Sequence, residues 1–186
     1  FNNYLNGYSK NVREIIENFQ LDKILTKLLK NDLLYQLVEM FTEVDLSPAN
    51  VTNHEMGYIF EELLRRFSEM SNETAGEHYT PREVIRLMVS LMFAEHTQEL
   101  QGKGIIRTVF DPACGTGGML ITAKEYIHDH INPDVEVVMY GQELNDESYA
   151  ICKSDMMIKG QNAKNIYPGN SFAEDGLPDQ QFDYLL

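Results

Sequence analysis

The stretch VFDPACGTGGML, residues 109–120, opens as an apolar strand, turns tightly through Gly115, Gly117 and Gly118, and continues as the start of a helix. A strand-to-helix turn stripped of side chains brings bare backbone against whatever it holds. A phosphate, a dinucleotide or a sulfonium cofactor would each suit such a place, and the surrounding residues discriminate. A dinucleotide turn wants a further glycine three positions on, so that helix and strand pack closely. Leu120 and Ile121 stand three beyond Gly117 and Gly118. A phosphate loop wants Gly-Lys-Ser/Thr, and none follows. Both phosphate readings are poorly motivated.

Working outward, strands and helices alternate. The periodicity predicts strand IIRTVF before the turn and helix MLITAKEYIHDHI after it, ended by Asn132-Pro133-Asp134. Strand VEVVMYG, helix DESYAICKSDMMIKG, a short strand in NIYPGNS and a fourth beginning in FDYLL follow. This order predicts an α/β fold with a doubly wound parallel sheet. Upstream, Thr80-Pro81-Arg82-Glu83 reads as a capping box with proline at the first helical position, leading into VIRLMVSLMFAEH. The first seventy residues carry apolar stripes at helical spacing, such as Val12, Ile15, Ile16 and Phe19, then Ile24, Leu25, Leu28 and Leu29. They predict an N-terminal helical bundle whose stripes form its core. A polar, glycine-ended joint over residues 71–76 divides residues 1–73 from residues 74–186.

Three strand ends then offer three different polar groups. Asp111 closes the first strand and faces the turn, where a carboxylate repels pyrophosphate and suits an amino group beside a positive centre. Glu143 closes the second, 28 residues past Gly115, where an acid can accept hydrogen bonds from both hydroxyls of a ribose. Asn170 and Ser171 follow the third; the Asn170 amide can accept from the amine of an adenine, with Phe172 flanking the ring. An amino acid, a ribose and an adenine without phosphate make S-adenosylmethionine.

Bulk properties narrow the class. The net charge is −14, from 15 basic and 29 acidic residues, and the basic residues are dispersed. That argues against a stand-alone nucleic-acid binder, whose affinity comes largely from neutralising phosphates. The chain alone is expected not to retard duplex DNA at physiological salt. No apolar run approaches the length of a membrane span, and two cysteines suggest a reduced, cytoplasmic protein.

DPACGTGGML resembles the first cofactor motif of amino-methylating DNA methyltransferases. With GEHYTPREVIRLMV upstream and GYIFEELLRRFSE before that, the sequence resembles the modification subunit of type I restriction–modification systems, an adenine-specific DNA methylase family. The resemblance covers most of the chain and is weakest over the first fifty residues. It implies that the second half is the first part of a Rossmann-like S-adenosylmethionine-dependent methyltransferase sheet. It also implies cofactor roles residue by residue. Glu77, His78, Tyr79, Thr80, Pro81 and Arg82 match the segment that closes over the methionine end. Asp111, Ala113, Cys114, Gly115, Thr116, Gly117 and Gly118 match the turn under the methionine and ribose. Glu143 matches the ribose-binding acid. Asn170 stands where many related methyltransferases have aspartate.

In such enzymes an Asn-Pro-Pro-aromatic motif holds an extruded adenine after a strand like FDYLL. The resemblance therefore implies no catalytic residue up to Leu186 and places the motif after it. The chain is read as a piece of a longer protein that stops short of this motif, with cofactor binding and no turnover of its own. The partners implied are DNA reached through a separate specificity subunit, a restriction nuclease subunit and a second copy of the modification subunit. Two other readings remain open: a methyltransferase acting on RNA, protein or a small molecule, and a catalytically silent interaction module. Bland roles compete at single residues. Cys114 reads as a buried filler with no histidine near it in sequence. His128 and His130, two apart on one helix, splay away from a common metal. Asp111 can serve the turn alone by accepting backbone amides.

Overall fold

The computed structural model describes residues 2–70 and 80–186. Helices α1 (Asn2–Leu5), α2 (Lys10–Asn18), α3 (Leu21–Lys30), α4 (Leu34–Thr42) and α5 (Asn53–Met70) come first, and α6 (Arg82–Phe93) leads into the sheet. There β1 (Ile106–Asp111), α7 (Gly118–Tyr126), β2 (Glu136–Glu143), α8 (Asp146–Ile158), β3 (Ile166–Pro168) and β4 (Tyr184–Leu185) follow in turn. The expected joint at residues 71–76 lies outside the described residues, as do Glu77, His78 and Tyr79.

The four strands are all parallel, in the order β3-β2-β1-β4. Two β-α-β steps carry the chain from β1 through β2 to β3, and α7 and α8 share one core cluster on the sheet, as right-handed crossovers require. The chain then returns past β1 to form β4, and the strand order reverses between β1 and β4. That reversal opens a crevice at the carboxyl ends of the strands, the usual ligand place in such sheets.

The core lies between the sheet and its helices. Val109, Val137 and Met139 point from the strands into a cluster with Val89 and Phe93 of α6, Leu120, Ile121 and Ala123 of α7, and Cys152 and Met156 of α8. Phe93 packs edge-on against Tyr184 of β4, with ring centroids 4.9 Å apart. A fully buried Leu, Val or Phe stabilises by about 1.5–3 kcal/mol relative to exposure, so this cluster is where the fold gains most. The opposite face carries Phe110 and Tyr140, both against Phe182 from the segment that leads to β4. β4 is further tied by Asp183, whose Oδ2 accepts from the N–H and Oγ1 of Thr108, each at 2.8 Å. Just past β4, the Leu186 N–H donates to the Phe110 carbonyl of β1 at 2.8 Å, and its half-buried side chain packs against the core cluster.

Three local expectations change. Pro81, at φ −54° and ψ 136°, is the N-cap of α6 rather than its first helical residue, and no side chain caps that end. With ψ extended at proline, the helix starts at Arg82 and the Thr80–Glu83 box does not form. Helix α7 ends in a wider π turn over Ile127–Ile131, where the Asn132 N–H reaches back to the Ile127 carbonyl at 2.7 Å. The N-terminal helices form, but α3 and α4 bury no residue; Ile15 of α2 is buried, whereas Leu29, Val38, Met40 and Phe41 are exposed. Their stripes do not close into a bundle core. Instead α2 and α5 lean on α8. The Tyr149 hydroxyl donates to Glu14 Oε1 at 2.9 Å, and the buried Lys153 Nζ donates to the Tyr149 oxygen at 2.8 Å.

Candidate functional site

Reading upward from β1, the strand ends in Asp111, one of the buried polar residues of the sheet. Its Oδ1 accepts the N–H of Ala113 at 3.0 Å, which folds the chain back at Pro112. Burial pushes the Asp111 carboxyl up to about 6; the Ala113 hydrogen bond opposes this and the charge of Glu143 adds to it. Gly115 and Gly117 then take the left-handed conformation at φ 53° and 86°, which explains glycine at both. The Gly117 N–H closes the turn on the Cys114 carbonyl at 2.8 Å, and α7 begins at the next residue.

Close approach supplies a second reason for the glycines. A Cβ on Gly117 would stand 2.8 Å from Cys152 Sγ of α8, and one on Gly118 would stand 3.1 Å from Ile85 Cδ1 of α6. Beneath the turn, a Cβ on Gly141 of β2 would meet Cys114 Sγ at 2.8 Å. The packing role that a dinucleotide turn gives to its last glycine is thus divided here between Gly117 and Gly118. Cys114 and Cys152 are both free and buried. The Cys152 thiol, then burial, drives the Cys114 thiol far above its ordinary range, so it is a packed filler and not a nucleophile.

The three strand ends are joined by hydrogen bonds. Glu143 leaves β2 and turns toward the glycines: its Oε2 accepts the Gly115 N–H and its Oε1 accepts the Asn145 N–H, both at 2.7 Å. The Cys114 N–H donates to the Gln142 carbonyl at 3.0 Å, and the Gly169 N–H donates to the Glu143 carbonyl at 2.9 Å. Ser171 Oγ donates to the Pro112 carbonyl, bringing the segment after β3 onto the turn. Asn170 Oδ1 accepts the Phe172 N–H at 3.0 Å, which leaves its NH2 group unused by that contact. Phe172 is fully exposed.

Sequence reasoning missed Gln142. It is buried at the end of β2, with Nε2 donating to the Glu174 carbonyl at 2.9 Å and Oε1 accepting the Gly176 N–H at 3.1 Å. A lone amide closing an apolar strand was the available signal. Arg82 was expected over the cofactor; its Nη2 donates to Glu61 of α5. His128 and His130 point to different partners: His128 Nε2 lies 2.9 Å from the Val135 carbonyl, and His130 stacks on Tyr126. Leu186, the residue after which the base-holding motif is expected, follows β4 and packs half-buried against the core cluster. Its bond to Phe110 does set the chain beside β1, one residue before Asp111, at the crevice where strand order reverses.

This geometry bears on which ligand fits. A helix-start amide attracts anions, but the Gly115 N–H already carries a carboxylate, and Asp111 stands beside it. Two acids at the turn oppose a phosphate and favour a cationic group. Each Glu143 oxygen accepts one N–H and keeps a lone pair, so both remain able to accept from hydroxyls. The donors and acceptors present fit an amino-acid cation, a ribose and an adenine.

The type I restriction enzyme MjaIX methylase subunit of Methanocaldococcus jannaschii is 27% identical over 97% of the chain, which covers 33% of that protein. The crystal structure of a type I restriction-modification system methyltransferase subunit from Streptococcus thermophilus is similar with a TM-score of 0.56 and 29% identity; the match covers 75% of the chain and 28% of that one. A class I S-adenosylmethionine-dependent methyltransferase from Listeria monocytogenes shares the fold, with a TM-score of 0.61 at 19% identity over 94% of the chain and 49% of the other. The chain therefore spans about a third of the length of these type I relatives. A family model described as N-6 DNA Methylase matches residues 51–186, and with that match the chain, its glycine turn and its three linked strand ends belong to the N-6 DNA methylase family.

Proposed function

We propose that the chain is the cofactor-binding part of a type I modification subunit, which transfers a methyl group from S-adenosylmethionine to the N6 of an adenine in DNA. One observation carries this reading: Glu143 spans from β2 to the Gly115 amide while Asp111 stays buried beside it, a doubly acidic turn built for a cation and a ribose. Residues 1–73 would form the helical region and residues 74–186 the cofactor domain of a cytoplasmic protein. The groups that hold the target adenine would follow Leu186.

When bound, S-adenosylmethionine supplies a methyl group activated on a positively charged sulfur. The residues of the chain would bind and orient it. Asp111, with Ala113, Cys114, Gly115, Thr116, Gly117 and Gly118, would face the amino-acid end, joined there by Glu77, His78, Tyr79, Thr80, Pro81 and Arg82. Glu143 would take the ribose hydroxyls, and Asn170 with Ser171 the adenine edge. Such sites act mainly by holding reacting atoms in line. DNA would be reached through a specificity subunit, which suits a net charge of −14, with a nuclease subunit and a second modification subunit completing the assembly.

Titration calorimetry of the full-length subunit with S-adenosylmethionine tests the cofactor reading. Wild type is expected to bind, and Glu143→Ala to lose at least ~30-fold in affinity, about 2 kcal/mol for charge-assisted hydrogen bonds. No heat at millimolar ligand with folded wild type, or equal affinity in the variant, would remove the basis of the proposal. With cofactor binding shown, methylation of adenine in duplex DNA by the assembled subunits tests the rest.

A further inference from the structure

Away from the strand ends, one carboxylate ties three helices together. Glu61 stands midway along α5. Its Oε1 accepts from Lys159, the residue after α8, and its Oε2 accepts from Arg82, the first residue of α6. Lys159 Nζ also reaches Asp155 Oδ2 at 3.1 Å, so its position is fixed from both sides. The helices lie close enough here that a Cβ on Gly57 would be 3.0 Å from Lys159 Cε. The Lys159 and Glu61 side chains are 15% and 27% exposed, so the pair is shielded from the full screening that weakens surface ion pairs.

The Arg82 end of this chain leads to the glycine turn. Three residues past Arg82, Ile85 is buried, and its Cδ1 would stand only 3.1 Å from a Cβ on Gly118, a tight contact. The first turn of α6 thus rests on the first turn of α7, where the glycine turn becomes helix.

We propose that Glu61 is a positioning residue for the cofactor site: held by Lys159, it anchors Arg82, sets the first turn of α6 against Gly118, and so fixes the turn from Asp111 to Gly118. The inference rests on the reading of that turn as an S-adenosylmethionine site. Neither Glu61 nor Lys159 needs to touch the cofactor.

The test measures S-adenosylmethionine affinity by calorimetry and Tm by scanning calorimetry on the full-length subunit. The variants are Glu61→Gln, Arg82→Gln, the double variant and Lys159→Gln. Glu61→Gln and Arg82→Gln are expected to weaken binding about tenfold each, because a sub-ångström shift of a preorganised site costs affinity and rate. The double variant should be no weaker than either single one, since both break the same link. Lys159→Gln should lower Tm and weaken binding about threefold, less than Glu61→Gln, because the Glu61–Arg82 bond survives but loses the partner that holds Glu61 in place. Wild-type affinity in Glu61→Gln, whatever its Tm, overturns the proposal, as do fully additive losses. If Glu61→Gln does not fold, Glu61→Asp, which withdraws the charge by one methylene, takes its place under the same criteria. Absent wild-type binding overturns the cofactor reading and this inference together; wild-type binding with an unaffected variant overturns this inference alone.

Discussion

Helices α3 and α4 and strands β1 and β2 each carry an apolar face in sequence, yet they end differently. Among the described residues, α3 and α4 bury none of their side chains, and Met40 and Phe41 are each more than three-fifths exposed. In the strands, Val109, Val137 and Met139 are almost entirely buried. Amphipathic spacing establishes that an element forms and which side is apolar; a partner surface decides whether that side becomes core. The sheet has its partners within the chain, in α6, α7 and α8. The only buried residue on α2 to α4, Ile15, lies on α2, the helix that Tyr149 and Lys153 tie to α8.

The contrast can be broken most forcefully at Gly117. Gly117→Ala should lose about 3 kcal/mol in denaturant unfolding, from the left-handed backbone and the contact with Cys152 together. Adding Cys152→Ala should recover the steric share and leave the backbone share. A neutral Gly117→Ala would mean that the turn is as loose as the N-terminal helices.

Next in size is the pH dependence of Asp111. Its carboxyl, raised to about 6 by burial, keeps in the folded state a proton that the unfolded chain has released above about 4. Stability is therefore fullest below that value and is lost as pH rises through about 6, by about 3 kcal/mol in the limit. Asp155 titrates in the same range and direction, also through burial, and burial raises Glu125 too, so the Asp111 share is the difference between the Asp155→Asn protein and the same protein carrying Asp111→Asn. Asp111→Asn should remove that share of the fall in unfolding free energy between about pH 4 and 7, while cofactor affinity of the Asp111 protein should climb across about pH 6 as the acid ionises.

A smaller effect is expected where the two regions meet. Tyr149→Phe keeps the ring under the buried Lys153 ammonium but leaves Glu14, 3.5 Å away, as its hydrogen-bond acceptor. The cost should be about 1–2 kcal/mol, read as faster amide exchange in α2 with the sheet amides unchanged. Smallest of all, Phe41→Ser and Phe172→Ala should change stability by less than about 0.5 kcal/mol, since both side chains are exposed. Phe172→Ala should nevertheless weaken S-adenosylmethionine binding several-fold if that ring flanks the adenine. A large loss for Phe41→Ser would show that α4 is covered in solution.

Much of the sheet was legible because its signals are local. Strand alternation, the glycine turn and an acid at the close of β2 all appear within short windows, and Glu143 does meet Gly115 across 28 residues. What was not legible joins distant residues with no period. Gln142 reaches 32 residues to Glu174, Arg82 reaches 21 back to Glu61, and Cys152 of α8 lies against Gly117 only because the fold brings that helix to the turn. The capping box misled for a related reason. Thr80 and Glu83 have the right spacing, but proline between them takes an extended ψ and becomes the cap itself.

The two thiols under the glycines have one last consequence. Cys114 and Cys152 are hidden from solvent, and the Cys114 thiolate is disfavoured in the closed protein. A thiol-labelling reagent can reach them only when this floor parts, so the rate of their modification becomes an intrinsic clock for breathing of the sheet directly beneath the turn.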